Sequence, residues 1–279
     1  MLSIDNFANF IFKISIGILL APLCSFAEII SVHQISEGLF ISSAPTLTYV
    51  YRSNHSARTL IFIPGGDGSV GVKPEWVNSR YFREYSFNLF LKRLSESDKT
   101  SGSTDVVIFD NPVKLNQGAA IYPFPRGWTD HLVRIHSVVD YYSKISNKPV
   151  WIMGHSNGAA SVTEYLKWLE KEKKEIDIKG LVFSSGADGS TFPSSTKIPV
   201  LFLGHEKEGC TKYINESYSR NLYEKLKANG NTKTEYFTAS GGSPDPLYPN
   251  PCFGGYHMYF GAEEQVSKVI DDFLSRYSE

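Results

Sequence analysis

The chain carries almost no net charge. Its 28 basic and 29 acidic residues leave −1 in 279 residues, with no basic stripe, which sets nucleic acid aside as a partner. Cysteine is scarce at three residues. No His/Cys/Asp cluster has ligand spacing, so no metal site and no cofactor are implied. Internal repeats, low-complexity tracts and dividing linkers are all missing. With 42% hydrophobic residues, a chain of this length suits one large domain with a real core. There is also no apolar run of the length a membrane span needs. The apolar stretch at 14–21 is short and ends at Pro22.

That stretch has a different meaning. Lys13 precedes it, and Ser25-Phe26-Ala27 follows with small residues where a signal peptidase reads. This is the layout of a secretory signal peptide, with cleavage expected after Ala27, although Asp5 is atypical of such a leader. Leu23 before Cys24 argues against a lipoprotein site. The expectation is a signal peptide over 1–27 and a single domain over 28–279, secreted or periplasmic, with no stable membrane span after cleavage. Cys24 leaves with the leader. Cys210 and Cys252 remain, an even pair bound for an oxidising compartment, so a disulfide between them is expected.

Residues 28–52 carry short alternating segments that read as antiparallel edge strands. Strand and helix patterns then alternate. Strands are expected at 59–63, 105–109, 149–153, 178–184, 198–203 and 233–238. Helices are expected at 79–95, 129–145, 159–169, 213–228 and 263–277. This alternation predicts an α/β fold, a mostly parallel central sheet with helices on both faces. Two long loops stand out, 111–128 and 239–261. Loops of that length are usually functional or mobile.

Gly154-His155-Ser156-Asn157-Gly158 lies between the strand ending at Met153 and the helix opening near Ala159. A G-x-S-x-G on a strand-to-helix turn is the nucleophile elbow of α/β-hydrolases. The turn strains the serine backbone, so the residues two away on each side must be small. The hydroxyl then projects above the sheet, and the following helix N-terminus offers N–H groups to an oxyanion.

A serine nucleophile needs a base, and the base needs an orienting acid. In the chain order of this fold both follow the serine. Beyond Ser156 only His205 and His257 qualify as bases. His205 ends a strand, where the acid belongs. His257 lies in the last loop before the final helix, so it is the expected base. The loop leaving the strand at 198–203 offers Glu206 and Glu208, and Asp188 leaves the preceding strand. Glu208 is preferred, because a Cys210–Cys252 bridge would tether its loop to that of His257. Glu206 and Asp188 remain open. The oxyanion donors are expected to be the amides of Asn157 and Gly66, the latter from the Pro64-Gly65-Gly66-Asp67-Gly68 turn. That turn lacks the G-K-[ST] ending of a nucleotide-binding loop.

Over residues 46–279 the chain resembles the α/β-hydrolase superfamily. It looks closest to exported bacterial members of poorly defined substrate. The shared pattern is P-G-G-x-G after an early strand, G-x-S-x-G-x-x-S at the elbow, an acid shortly before a cysteine, and a late P-C followed by a histidine. That group generally has Asp as the acid and H-G-F after the cysteine. Here Glu208 and His257-Met258-Tyr259 stand instead. The resemblance implies a serine hydrolase cleaving an ester-like acyl bond of a small-molecule or lipid-like substrate. A peptidase or thioesterase on the same triad, or a non-catalytic binding protein of this fold, is the alternative.

Overall fold

The apolar residues of the central strands point alternately to two faces, and each face builds its own core. In the computed structural model, which describes residues 26–32, 46–53, 55–68, 86–96, 103–112, 124–175, 178–186, 189–212, 214–244, 250–252 and 254–278, eight strands form one sheet. They are β1 (Phe26–Val32), β2 (Thr46–Arg52), β3 (Ser56–Ile63), β4 (Ser103–Asp110), β5 (Val150–His155), β6 (Gly180–Ser184), β7 (Val200–His205) and β8 (Thr234–Ala239). Their order is β1-β2-β4-β3-β5-β6-β7-β8. β2 runs antiparallel to both β1 and β4, and every pairing from β4 to β8 is parallel. The expectation of a mostly parallel sheet with antiparallel edge strands is met.

Among the described residues, five helices cover the sheet: α1 (Ser86–Ser95), α2 (Thr129–Ser146), α3 (Asn157–Glu172), α4 (Glu216–Ala228) and α5 (Glu263–Tyr277). Ile61 and Ile63 of β3 join Val107 and Phe109 of β4 in one core with apolar residues of α2, α3 and α4. Leu60, Phe62, Val106 and Ile108 face the other way, onto Leu91 and Leu94 of α1 and Val266, Ile270 and Phe273 of α5. The period of two in each strand therefore produces a three-layer structure. Each large apolar side chain so buried stabilises the fold by about 1.5–3 kcal/mol. A buried ion pair joins Arg58 of β3 to Asp271 of α5, fixing the closing helix to the sheet.

Some boundaries differ from the sequence reading. α4 starts at Glu216 rather than at 213. The Asn215 side chain accepts from the Tyr218 amide at 3.0 Å and caps the helix there. The expected helix at 79–95 is described from Ser86 onward, and its earlier part lies outside the described residues. So do residues 1–25 of the expected leader and Asp188. Among the described residues, no helix is long and apolar enough to cross a membrane.

The order β4-β3-β5 contains the feature that positions a site. The chain passes from β3 to β4 in one direction and returns across the sheet to β5 on the other side of β3. The connections leaving β3 and β5 therefore separate, and a crevice opens at the carboxyl ends of these strands. The 64–68 turn leaves β3 there, and Ser156 directly follows β5.

Candidate active site

Ser156 has φ 55° and ψ −124°, a conformation that ordinary side chains avoid. Holding a non-glycine residue there costs about 1–3 kcal/mol. The surroundings enforce it. The Ser156 amide donates to the Ser184 carbonyl at 2.9 Å, and the Ser156 carbonyl accepts from the Ala159 amide at 3.0 Å. The small residues of the motif have a visible reason. A Cβ on Gly154 would lie 2.3 Å from the Gly158 carbonyl oxygen, and one on Gly158 would lie 2.1 Å from that of Ile63. The start of α3 is thus pressed against the end of β3. Gly65 approaches the serine so closely that a Cβ there would meet the Ser156 Cβ at 2.8 Å.

His257 sits in a short 3-10 turn, Gly255–Met258, just before α5. Its Nδ1 is 2.8 Å from Glu208 Oε1, and the two side chains are 2% and 1% exposed. The imidazole ring lies 4.6 Å from that of His155, the residue before Ser156, which brings the His–Glu pair against the elbow. Burial acts to raise the Glu208 pKa. The His257 charge and hydrogen bonds from His257, Ser185 and the Cys210 amide outweigh it and hold the carboxyl below its ordinary value. Glu208 therefore stays ionised at neutral pH.

The loop that carries Glu206 and Glu208 is not extended. The Glu208 amide donates to the His205 carbonyl at 2.9 Å, closing a turn. Glu206 ends exposed, accepting from the Gly241 amide at 3.3 Å. His205 uses both ring nitrogens structurally. Nδ1 accepts from the Lys207 amide at 3.0 Å, so Nε2 carries the proton and donates to the Gly241 carbonyl at 3.1 Å.

Behind the His–Glu pair lies a polar chain that sequence reasoning missed. Ser185 Oγ donates to Glu208 Oε2 at 2.7 Å. Its single proton is thereby spent, so Tyr259 Oη, 3.1 Å away, donates to it. By the same logic Ser184 Oγ donates to Tyr259 at 2.8 Å, and His155 Nδ1 donates to Ser184 at 3.0 Å. The chain runs one way, from His155 to the carboxylate. Burial, and then the His257 charge, push the His155 pKa well below the ordinary imidazole value, so the ring is neutral as this requires. Burial likewise raises the Tyr259 phenol far above its normal range. Ser184 and Ser185 are the last residues of a strand and its exit, and only that placement could have drawn attention to them.

The 64–68 turn faces the elbow. Gly66 has φ 57°, and the Gly68 amide donates to the Gly65 carbonyl at 3.0 Å. Asn157 Nδ2 donates to the Gly66 carbonyl at 3.0 Å, linking the two expected oxyanion residues. Asn157 is also the first residue of α3, where backbone N–H groups have no intrahelical acceptor. Arg126, wholly buried in the 3-10 turn Phe124–Gly127, donates to the carbonyls of Pro64, Gly65 and Gly66. Sequence reasoning placed this residue in a long loop without giving it a role.

Cys210 and Cys252 form a disulfide with Cα atoms 4.4 Å apart. It joins the loop after Glu208 to the segment before His257, as expected. Closing a loop of 42 residues is worth ~4 kcal/mol on the chain-entropy account. A groove of about 770 Å³ at the opposite end of the sheet, lined by Lys197, Ile198, Lys233 and others, contains none of these site residues. Among the described residues, no group of three or more His, Cys, Asp or Glu could hold a metal ion.

The sheet order and the position of this site define an α/β-hydrolase fold, and solved structures agree. The chain is similar to a lidless α/β serine hydrolase from Xanthomonas campestris, at TM-score 0.58 and 12% identity, over 91% of this chain and 95% of that one. It is similar to a dienelactone hydrolase from Anabaena variabilis, at 0.58 and 12%, over 91% and 99%. It is also similar to an esterase from Pyrococcus furiosus, at 0.57 and 13%, over 91% and 94%. No protein-family model matches the chain, and no curated protein is similar to it in sequence.

Proposed function

We propose that the protein is a serine hydrolase of ester-like acyl bonds, exported from the cytoplasm by a leader over residues 1–27. The reading rests on one observation above the others. A strained serine at a helix N-terminus follows a histidine whose ring lies 4.6 Å from that of the buried His257, and His257 Nδ1 is 2.8 Å from an ionised carboxylate. Hydrolases and esterases are named among the proteins of similar fold, in keeping with it.

In this reading His257 Nε2 takes the proton of Ser156 Oγ as the oxygen attacks the substrate carbonyl. The carbonyl oxygen becomes an oxyanion and accepts from the Gly66 and Asn157 amides. Glu208 fixes the Nδ1–H tautomer and stabilises the imidazolium. Collapse of the tetrahedral intermediate expels the alcohol, which takes the proton from His257, and leaves an acyl group on Ser156. Water, deprotonated by the same imidazole, releases the acid. The substrate is a small-molecule or lipid-like ester, and the disulfide suits an oxidising compartment.

The test is covalent labelling with a fluorophosphonate and turnover of a short-chain p-nitrophenyl ester. Wild-type protein should label at one residue. Ser156→Ala should fold, fail to label, and lose turnover by several orders of magnitude. Labelling that persists in Ser156→Ala would move the nucleophile elsewhere.

A further inference from the structure

Arg126 is the largest polar group near the site without a role in the chemistry above. Its guanidinium is fully buried. Nη1 donates to the Pro64 carbonyl at 3.4 Å and to Ser161 Oγ at 3.0 Å. Nη2 donates to the Gly65 carbonyl at 3.2 Å and to the Gly66 carbonyl at 2.8 Å. Ser161 is bonded in turn to His131 Nε2 at 2.9 Å, so the guanidinium is anchored from behind by α3 and α2. One side chain therefore grips three successive peptide units of the turn that faces Ser156.

The geometry of a trans peptide makes this consequential. The carbonyl of one residue and the N–H of the next point in opposite directions in one rigid plane. Drawing the Gly65 carbonyl toward Arg126 turns the Gly66 N–H away from it. The elbow lies close at hand, since a Cβ on Gly65 would touch Ser156. Gly66 has the φ freedom to follow any other orientation, and glycine turns are costly to order. A charged donor also polarises the peptide it binds, which strengthens the N–H at the far end.

We propose that Arg126 is a positioning residue for the oxyanion site: it locks the 64–66 peptide planes so that the Gly66 amide faces the developing oxyanion. This rests on the reading of Ser156 as nucleophile and Gly66 as oxyanion donor given above. The guanidinium never touches substrate. Its fork supplies donors to three carbonyls and a hydroxyl at once, which the single ammonium of lysine cannot reproduce.

The experiment compares full-length wild type, Arg126→Lys and Ser161→Ala. Each is assayed for kcat and KM on a short-chain p-nitrophenyl ester, and for inhibition by a trifluoromethyl ketone, whose serine adduct carries an oxyanion. Fluorophosphonate labelling and thermal melting accompany each variant. Arg126→Lys should lower kcat about 10- to 100-fold with KM within about twofold, a fraction of the loss typical when an oxyanion donor is removed outright. The ketone should weaken by the same factor. Ser161→Ala, which loosens one anchor at a small helical residue, should show the same pattern at about 3- to 10-fold. It decides the matter if Arg126→Lys does not fold. A folded variant with kcat within twofold of wild type, or a kcat loss without matching loss of ketone affinity, overturns the proposal. Wild-type protein that does not label defeats the nucleophile reading itself, and this proposal falls with it. Labelled wild type with unaffected variants defeats only the role of Arg126.

Discussion

Replacing Glu208 with glutamine changes one oxygen to an amide nitrogen, and the surrounding hydrogen bonds dictate how the new group sits. Glu208 accepts from His257 through Oε1 and from Ser185 through Oε2. Glutamine has one acceptor side and one donor side. With the amide oxygen toward Ser185, the chain Ser185–Tyr259–Ser184–His155 keeps its direction, and the NH₂ faces His257 Nδ1. That nitrogen must then be unprotonated, which puts the proton on Nε2, where the base has to accept one. The opposite orientation keeps the working tautomer but reverses the chain. The His155 proton then moves to Nε2, which is buried with no hydrogen-bond partner. An unsatisfied buried donor costs about 1–3 kcal/mol, so the unproductive orientation prevails. Loss of the negative charge that stabilises the imidazolium adds to this. A fall in kcat of ~10³- to 10⁴-fold is expected, with KM within about twofold, equivalent to ~4–5.5 kcal/mol at the transition state. Steady-state kinetics on a p-nitrophenyl ester, with melting curves to confirm folding, measure it. The control is Glu206→Gln, whose side chain is exposed and makes one 3.3 Å bond, and which should stay within about twofold of wild type. Near-normal turnover in folded Glu208→Gln, or an equal collapse in Glu206→Gln, would refute the assignment.

Stability should fall with acid. Burial, followed by neighbouring positive charge, holds the pKa values of His131 and His155 well below 6.5. Both rings stay neutral in the fold and take up protons on unfolding below pH 6.5. The unfolded state then binds more protons, and stability drops by ~1.4 kcal/mol per pH unit for each. Urea unfolding at pH 7.5 and 5.5 should differ by roughly 2–3 kcal/mol for the pair, and a flat profile would contradict their neutrality. Glu208, with its lowered pKa, adds stability present above 4.5 and lost as pH falls through its folded value. Intact mass of the protein from its native host should give a chain starting at Glu28. That leaves Glu28–Val32 of β1 to pair with Thr46–Val50 of β2; a soluble product retaining residues 1–27 would sink the export reading.

The sheet was legible because its signal is local. Strands such as 59–63 and 105–109 carry enough consecutive apolar residues to be read alone, and their neighbours in sequence alternate with helical periods. Edges were read less well where a single side chain sets them, as Asn215 does for α4. His257 and Glu208 lie beside the elbow for a similar reason. A motif of five residues fixes the elbow, and chain order leaves two histidines to choose between. The separation of Glu206 from Glu208 was not legible. It depends on a turn closed by one backbone bond, which neither a motif nor a period announces.

What supports the site is a different kind of information. Arg126 meets carbonyls about 60 residues before it, and Tyr259 meets Ser184 and Ser185 about 75 residues before it. Neither pairing has a period or a motif, because each follows from where separate loops converge at the carboxyl edge of the sheet. The convergence is nonetheless a product of topology. Reversal of strand order at β4-β3-β5 opens the crevice, the turn after β3 and the elbow after β5 line it, and the exits of β6 and β7 bring Ser185 and Glu208 beside them. Polar groups brought together there must bond to one another or pay desolvation. That requirement links Glu208, Ser185, Tyr259, Ser184 and His155 in one directed chain, and it draws the Arg126 guanidinium onto the carbonyls of Pro64, Gly65 and Gly66. The supporting layer is therefore as much a consequence of the fold as the elbow serine itself, and under the proposed function its members should tune the rate of the reaction without touching the substrate.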